Sequence, residues 1–390
     1  MVKIRNNFSL WQYLKVFEVL KLTNYAHICK KISHLKPYIT AFFLISVLLG
    51  SGQTTRKYSN AFMDIGVGAR ALGMSSAVTA NTNDVNAGYW NPAGLVNLED
   101  NQLALMHSSY FANIANYDYA GFAMPLDDES AIGLSLIRFG VDDILNTTQL
   151  IDAQGNINYD RISLFSTADY GVTFSYARKL PVEGLNYGIN AKIIRRIIGD
   201  FASSWGFGLD LGIQFETKNQ WKFGLMARDI TTTYNAWAID ETQFATISNA
   251  VAGQNQELPD KTEITIPKLQ LGVSKLIEFH ADYTLLVATN LNVRFEQTND
   301  VISSSFASIS PALGLEFGYL NMVHLRAGLG NFQNELQFDN SEQLTFQPSF
   351  GVGFQYQGIA IDYAFTDIGD QSVALYSNVF SLKLDFSIFR

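Results

Sequence analysis

The sequence predicts an all-β protein: a transmembrane antiparallel β-barrel of about 14 strands, preceded by an N-terminal plug segment. Three observations predict it. Apolar and polar residues alternate strictly through most of the chain after residue 101. The alternating runs often reach about ten residues, whereas strands of soluble proteins average about five or six. The connections between them are mostly short and long in turn, as in outer-membrane barrels with short periplasmic turns and long extracellular loops. The composition agrees. Charged residues make up 16% of the 390 and mean hydropathy is +0.05, against about 25% charged in ordinary soluble domains.

The alternation is clearest where Trp205, Phe207, Leu209, Leu211, Ile213 and Phe215 interleave with Gly206, Gly208, Asp210, Gly212, Gln214 and Glu216. Tyr170 to Tyr176, Leu313 to Tyr319, Phe350 to Tyr356 and Ile359 to Phe365 repeat the pattern. A period of two sends one set to each face of a sheet. That fits the core of a soluble sandwich as well as the lipid face of a barrel; strand length and connection pattern favour the barrel. The expected strands are 102–111, 117–125, 130–139, 168–180, 185–198, 203–216, 220–229, 264–276, 281–295, 307–319, 322–330, 344–356, 358–366 and 376–388. A backbone in lipid must satisfy every N–H and C=O internally, which requires a closed barrel.

The one long apolar run, Ile39 to Leu49, has 11 residues, too few for a membrane helix of about 20. Lys30, Lys31 and Lys36 precede it and Gly50-Ser51-Gly52 follows, so residues 1–52 read as a secretory signal with an over-long N-terminal extension. An amphipathic helix around Leu10 to Leu20 is the alternative reading of that extension. The division is therefore 1–52 signal, 53–101 plug and 102–390 barrel. The signal segment carries seven of the 27 basic and one of the 36 acidic residues, leaving 20 basic against 35 acidic and a net charge of −15. So acidic a body argues against nucleic-acid binding. Cys29, the only cysteine, falls in the signal, so the mature chain has no disulfide or cysteine-based metal site.

The plug stretch, Phe62 to Leu95, lacks the alternation and is rich in Gly and Ala. Small residues let a backbone thread a narrow interior. It ends in Trp90-Asn91-Pro92-Ala93-Gly94-Leu95, where Pro92 pushes Asn91 out of the helical region and Gly94 permits positive φ, giving a sharp turn. Ile65-Gly66, Gly68-Ala69-Arg70, Gly73-Met74, Ala77, Asp84, Ala87 and Trp90 to Leu95 together resemble the entry signature of the PorV/PorQ family of Bacteroidetes outer-membrane proteins, a branch of the FadL-type barrels. Ser75 departs from the Gly common there. The C-terminal run Phe380, Leu382, Leu384, Phe386 and Ile388 resembles the terminal strand signal of outer-membrane assembly, with Arg390 after the penultimate Phe389.

No catalytic or cofactor constellation is legible. His107, His280 and His324 fall on separate strands or turns without metal-ligand spacing, and read as interior or turn residues. There is no GxSxG elbow. Gly206, Gly208, Gly351 and Gly353 sit inside strands with no helix after them, so they mark tight passage against plug or neighbour, not phosphate loops. Asp64, Arg70 and Asp84 are expected to pair with barrel charges such as Arg178, Glu216, Arg228 or Glu316 and seat the plug. Trp205, Trp221, Tyr319 and Tyr356 lie near strand ends, where an interfacial girdle or ordinary sheet packing would hold them. The long loop from Ile230 to Glu263, with Tyr234, Trp237, Ile239 and Phe244, either binds a partner or caps the barrel. The loop from Gly140 to Thr167, with Ile144, Leu145, Ile151, Tyr159 and Phe165, is a second candidate.

The resemblance implies a PorV-like component of the type IX secretion system, without enzymatic activity or cofactor. Such barrels bind the C-terminal sorting domains of cargo proteins, collect them from the large translocon barrel and pass them to the surface attachment complex. The location implied is the outer membrane of a Gram-negative bacterium. The plug signature would be structural: Gly66, Gly68, Arg70, Gly73, Met74, Trp90, Asn91, Pro92 and Gly94. The alternative is a FadL-like transporter of hydrophobic small molecules, which an apolar pocket against residues 62–95 would favour.

Overall fold

A computed structural model describes residues 60–110, 114–151, 154–242, 261–337, 341–366 and 377–386. The signal, Phe244 and the last four residues lie outside the described residues. The strands are β1 (Gln102–Tyr110), β2 (Ala115–Asp127), β3 (Ser130–Asn146), β4 (Ser163–Lys179), β5 (Leu185–Ile198) and β6 (Ala202–Glu216). They continue as β7 (Trp221–Arg228), β8 (Thr233–Ile239), β9 (Thr262–Thr265), β10 (Lys268–His280), β11 (Tyr283–Arg294) and β12 (Ile302–Ser303). The last are β13 (Ser308–Tyr319), β14 (Val323–Leu336), β15 (Glu342–Tyr356), β16 (Ile359–Thr366) and β17 (Ser377–Asp385).

Fourteen of these close an antiparallel barrel in chain order, and β17 pairs with β1 from Gln102↔Asp385 to Ser109↔Asn378. Each overlaps one of the expected strands. The remaining three lie towards the long-loop side. β8 continues the line of β7 beside β6, after the interruption Asp229–Thr232, where Asp229 and Thr232 take positive φ. Facing it, β9 pairs with β8 and β10 with β7. Pro267, which has no N–H to give a ladder, stands between β9 and β10. The short β12 pairs with β13.

The alternation resolves as a membrane barrel requires. On β13, Leu313, Leu315, Phe317 and Tyr319 face outward and are exposed, while Ser308, Ser310 and Ala312 are buried inside. Trp221, Tyr283, Tyr319 and Tyr356 flank the short turns on the outer face, the position of a periplasmic girdle. Trp205 faces outward under Arg195, 4.9 Å from its ring centroid. A closed barrel with an apolar outer belt and a polar interior is an outer-membrane barrel.

The core is the plug. Val67, Ala69, Met74, Ala87, Ala93 and Leu95 are fully buried within the barrel. Among the described residues the plug is short helical turns, Ala69–Leu72, Ala87–Trp90 and Pro92–Asn97 among them, with no strand of its own.

Candidate functional site

Two regions carry what this barrel can do: the seat of the plug and the extracellular mouth above it. At the seat, inward glycines of the wall meet plug backbone. A Cβ on Gly212 would overlap Asn91 and Pro92; one on Gly188, Pro92 and Ala93; one on Gly224, Thr79 and Ala80. Gly314 and Gly328 receive Met74, and Gly351 lies against Gly73. The small-residue face read in the sequence is therefore a socket. Gly206 and Gly208 make room for Asn235 and Thr233 of β8, and Gly353 for Asp362 and Arg326.

Within the plug, Gly66 and Gly68 take φ of 101° and 80°, which only glycine adopts readily. Asn91 is extended at φ −161°, as Pro92 requires; its Oδ1 accepts from the Ala93 N–H while Nδ2 donates to the Thr79 and Ile213 carbonyls. Gly94 differs from expectation. Its φ is not positive; a Cβ there would overlap the Thr82 carbonyl, so the glycine answers to space, not to a turn. Trp90 donates from Nε1 to the Val67 carbonyl at 2.8 Å and locks the ends of the plug together.

Charges fasten the plug to the wall. Arg70 donates from Nε and Nη2 to both oxygens of Glu316, at 2.9 and 3.0 Å. Arg326 bridges Glu316 and Asp362, at 2.6 Å each. Asp84 pairs with Lys383 at 3.0 Å, and Asp64 with Lys268. Burial alone would push the Asp84 carboxyl up; the Lys383 ammonium and the Arg70 guanidinium outweigh it and hold it below its ordinary value. Of the four wall charges expected to receive the plug, Glu316 does so by ion pairing. Arg228 instead donates to the Tyr89 carbonyl at 2.9 Å and stacks on the Tyr89 ring. Arg178 pairs with Glu129 and Glu216 with Lys222, both away from the plug. Both seam strands also hold the plug: Gly68 N–H donates to Met106 Sδ on β1, and Ala69 N–H to Ser381 Oγ on β17.

On the mouth side of the plug lies a cleft of about 370 Å³, lined on the plug side by Leu72, Ser75, Ser76 and Trp90. Gln270, Asn292, Ser310, Gln347 and Thr366 line its wall. Leu269, Val293 and Pro348 stand among them, so the vestibule is of mixed polarity. Around it, Trp237 turns inward, with the Arg196 guanidinium 5.2 Å above its ring. Tyr234 lies on the outer face of β8, opposite Phe207. The loop expected over 140–167 is largely a hairpin, because β3 and β4 continue pairing to Asn146↔Ser163. Its far end exposes Leu145, Ile151, Ile157 and Tyr159, the last at 71%. His107 is on the outer wall, not inside, and bonds Asp118.

No family profile matches the chain, and no curated protein matches it. Among solved structures, the toluene transporter TodX of Pseudomonas putida matches with 14% identity over 82% of this chain and 99% of TodX, at a TM-score of 0.53. A second TodX structure gives 14%, 85%, 98% and 0.51. The fold is that of TodX. A FadL homologue from Pseudomonas aeruginosa matches at 12% identity over 82% and 98%, with a TM-score of 0.46. These likenesses concern the path of the backbone.

Proposed function

We propose that the protein is a non-enzymatic adaptor of the outer membrane, which holds a secreted protein at its extracellular face. A strand rises about 2.5 Å in height per residue at the usual tilt, and the apolar belt is about 25 Å tall. Leu145 stands 16 residues beyond Glu129 of the periplasmic turn, about 40 Å up and clear of the belt. Exposed apolar side chains at that height meet water unless a protein covers them. This observation carries the reading. A lumen packed by the plug is consistent with a barrel that presents a surface; the vestibule outside the plug is of mixed polarity and does not separate this reading from a transporter.

In the terms of the family signature, the reading is PorV-like. The partners would be cargo with C-terminal sorting domains, the type IX translocon barrel and the surface attachment complex. Tyr234, Trp237 and Phe244 stay a second candidate for partner contact, with Tyr234 on the outer face of β8 and Trp237 turned inward. The test is a pull-down of tagged protein from solubilised outer membranes, wild type against Leu145→Ser with Tyr159→Ser. Recovery of proteins sharing a C-terminal β-domain, lost in the variant, supports the reading; equal recovery refutes the surface.

The fold shared with TodX favours a second reading, a FadL-like transporter of hydrophobic small molecules. It demands uptake of toluene or a fatty acid that depends on this protein and survives the loop substitutions. The comparisons favour this second reading; the plug signature and the exposed hairpin favour the first.

A further inference from the structure

The vestibule on the mouth side of the plug holds its charges in closed pairs. Lys268 is bonded to Asp64 of the plug, and Arg294 to Asp300 at 3.1 Å. An anion would have to compete with a carboxylate at either cation. The neutral groups of the wall are in the opposite condition. Arg228 Nε donates to Gln270 Oε1 at 3.0 Å, and Gln270 Nε2 donates to Asn292 Oδ1 at 2.9 Å. A guanidinium only donates, so it fixes the Gln270 amide, which in turn fixes that of Asn292. The relay ends on the two N–H bonds of Asn292 Nδ2.

Among the described residues no group accepts from that nitrogen, and the side chains of Gln347 and Ser310 have no hydrogen-bond partner. Thr366 Oγ1 has none either. Ser310 and Thr366 are buried, at 6% and 4% exposure, where an unanswered polar group is costly. All four side chains line the same cleft of about 370 Å³, and Leu72 and Trp90 supply an apolar side to it. A cleft of that size, with a few convergent polar groups against an apolar surface, is the form of a small-molecule site.

We propose that the vestibule binds a neutral saccharide unit, one hexose ring, either free or at the tip of a glycan. A hydroxyl both donates and accepts. One ring therefore answers Asn292, which has only donors left, together with Gln347, Ser310 and Thr366, which can do both. The C–H face of the ring lies against Leu72 and Trp90. A hydrocarbon in the same place would cover the amides and leave their hydrogens unpaired. The site is separate from the hairpin surface and stands whether or not that surface binds a protein.

The experiment is saturation-transfer NMR of the folded barrel in detergent, with the methyl glycosides of glucose, galactose, mannose and N-acetylglucosamine as probes. Folding is checked by the heat-dependent gel shift of an intact barrel. The wild type is expected to bind at least one glycoside through its ring C–H protons. Asn292→Leu with Gln347→Leu is expected to weaken that binding at least tenfold, and Leu145→Ser with Tyr159→Ser to leave it unchanged. An oligosaccharide ending in the bound sugar then tells the source: equal affinity supports a free sugar, and tenfold tighter binding supports a glycan tip. Binding of none of the four glycosides by the wild type overturns the proposal. So does binding that the folded Asn292→Leu, Gln347→Leu variant retains in full.

Discussion

Glu316→Gln is the most informative single substitution. The Glu316 side chain is 12% exposed and lies between Arg70 at 24% and Arg326 at 3%. The four groups Arg70, Glu316, Arg326 and Asp362 sum to zero charge. Replacing the carboxylate by an amide leaves Arg326 with Asp362 and Arg70 with only the less direct attraction of Asp84 and Asp362. Breaking one partner of a buried ion pair costs about 3–5 kcal/mol, and the part-exposed Arg70 together with the remaining Asp362 points to the lower end. A loss of about 3 kcal/mol corresponds to about 150-fold in an equilibrium. The barrel wall keeps all its ladders, so the loss falls on the seating of the plug. Planar-bilayer recordings then show pore openings about 100 times more often than in the wild type, with faster proteolysis of the plug. Lys218→Ala, from the exposed pair Lys218–Glu183, is the control and changes neither. If folded Glu316→Gln matches the wild type within threefold in both assays, the charge network does not hold the plug.

Gly212→Val places side-chain atoms where Asn91 and Pro92 lie; the barrel is expected to assemble with its plug displaced, read as open conductance in a correctly migrating gel species. Asn91→Ala removes the cap on Ala93 and the donors to Thr79 and Ile213, a loss of about 2 kcal/mol measured as a lowered urea midpoint for plug protection. The Asp84–Lys383 tether has a sign. Because the native carboxyl titrates below its ordinary value, its contribution is whole above an ordinary carboxylate pKa of about 4 and vanishes as pH falls through the native value. Plug protection is therefore unchanged between pH 7 and 5 and weakens below about 4, whereas Asp84→Asn shows the weakened level throughout.

The barrel was legible because a membrane wall writes its two faces into the sequence. On β13, and on β6 from Trp205 onward, every outward position is apolar and most inward ones are Gly, Ser or polar, so the strands can be read singly. Where the wall leaves the membrane that contrast fades. The upper parts of β3 and β4 accordingly read as loop, and β8 and the first half of β9 as parts of one long connection. Arg70–Glu316 could be anticipated from a charge inside a Gly-rich plug. Lys383 carried the same signal, standing on the polar face between Leu382 and Leu384, but nothing local says which plug residue meets a strand 299 positions away. Gly94 was identified as special for the wrong reason, because crowding by Thr82 is a tertiary fact. The outward turn of His107 depends on register, which a single strand with Leu105 and Ser109 as neighbours does not fix.

The two strands that meet at the barrel seam are also the two that grip the plug on that side. β1 emerges immediately after the plug, while β17 is synthesised last and brings Ser381 and Lys383 to it. Zipping the final ladder and completing the plug's bonds are thus one event. A chain whose plug is misplaced closes that ladder without the Ser381 and Lys383 bonds, and its seam is the weaker for it.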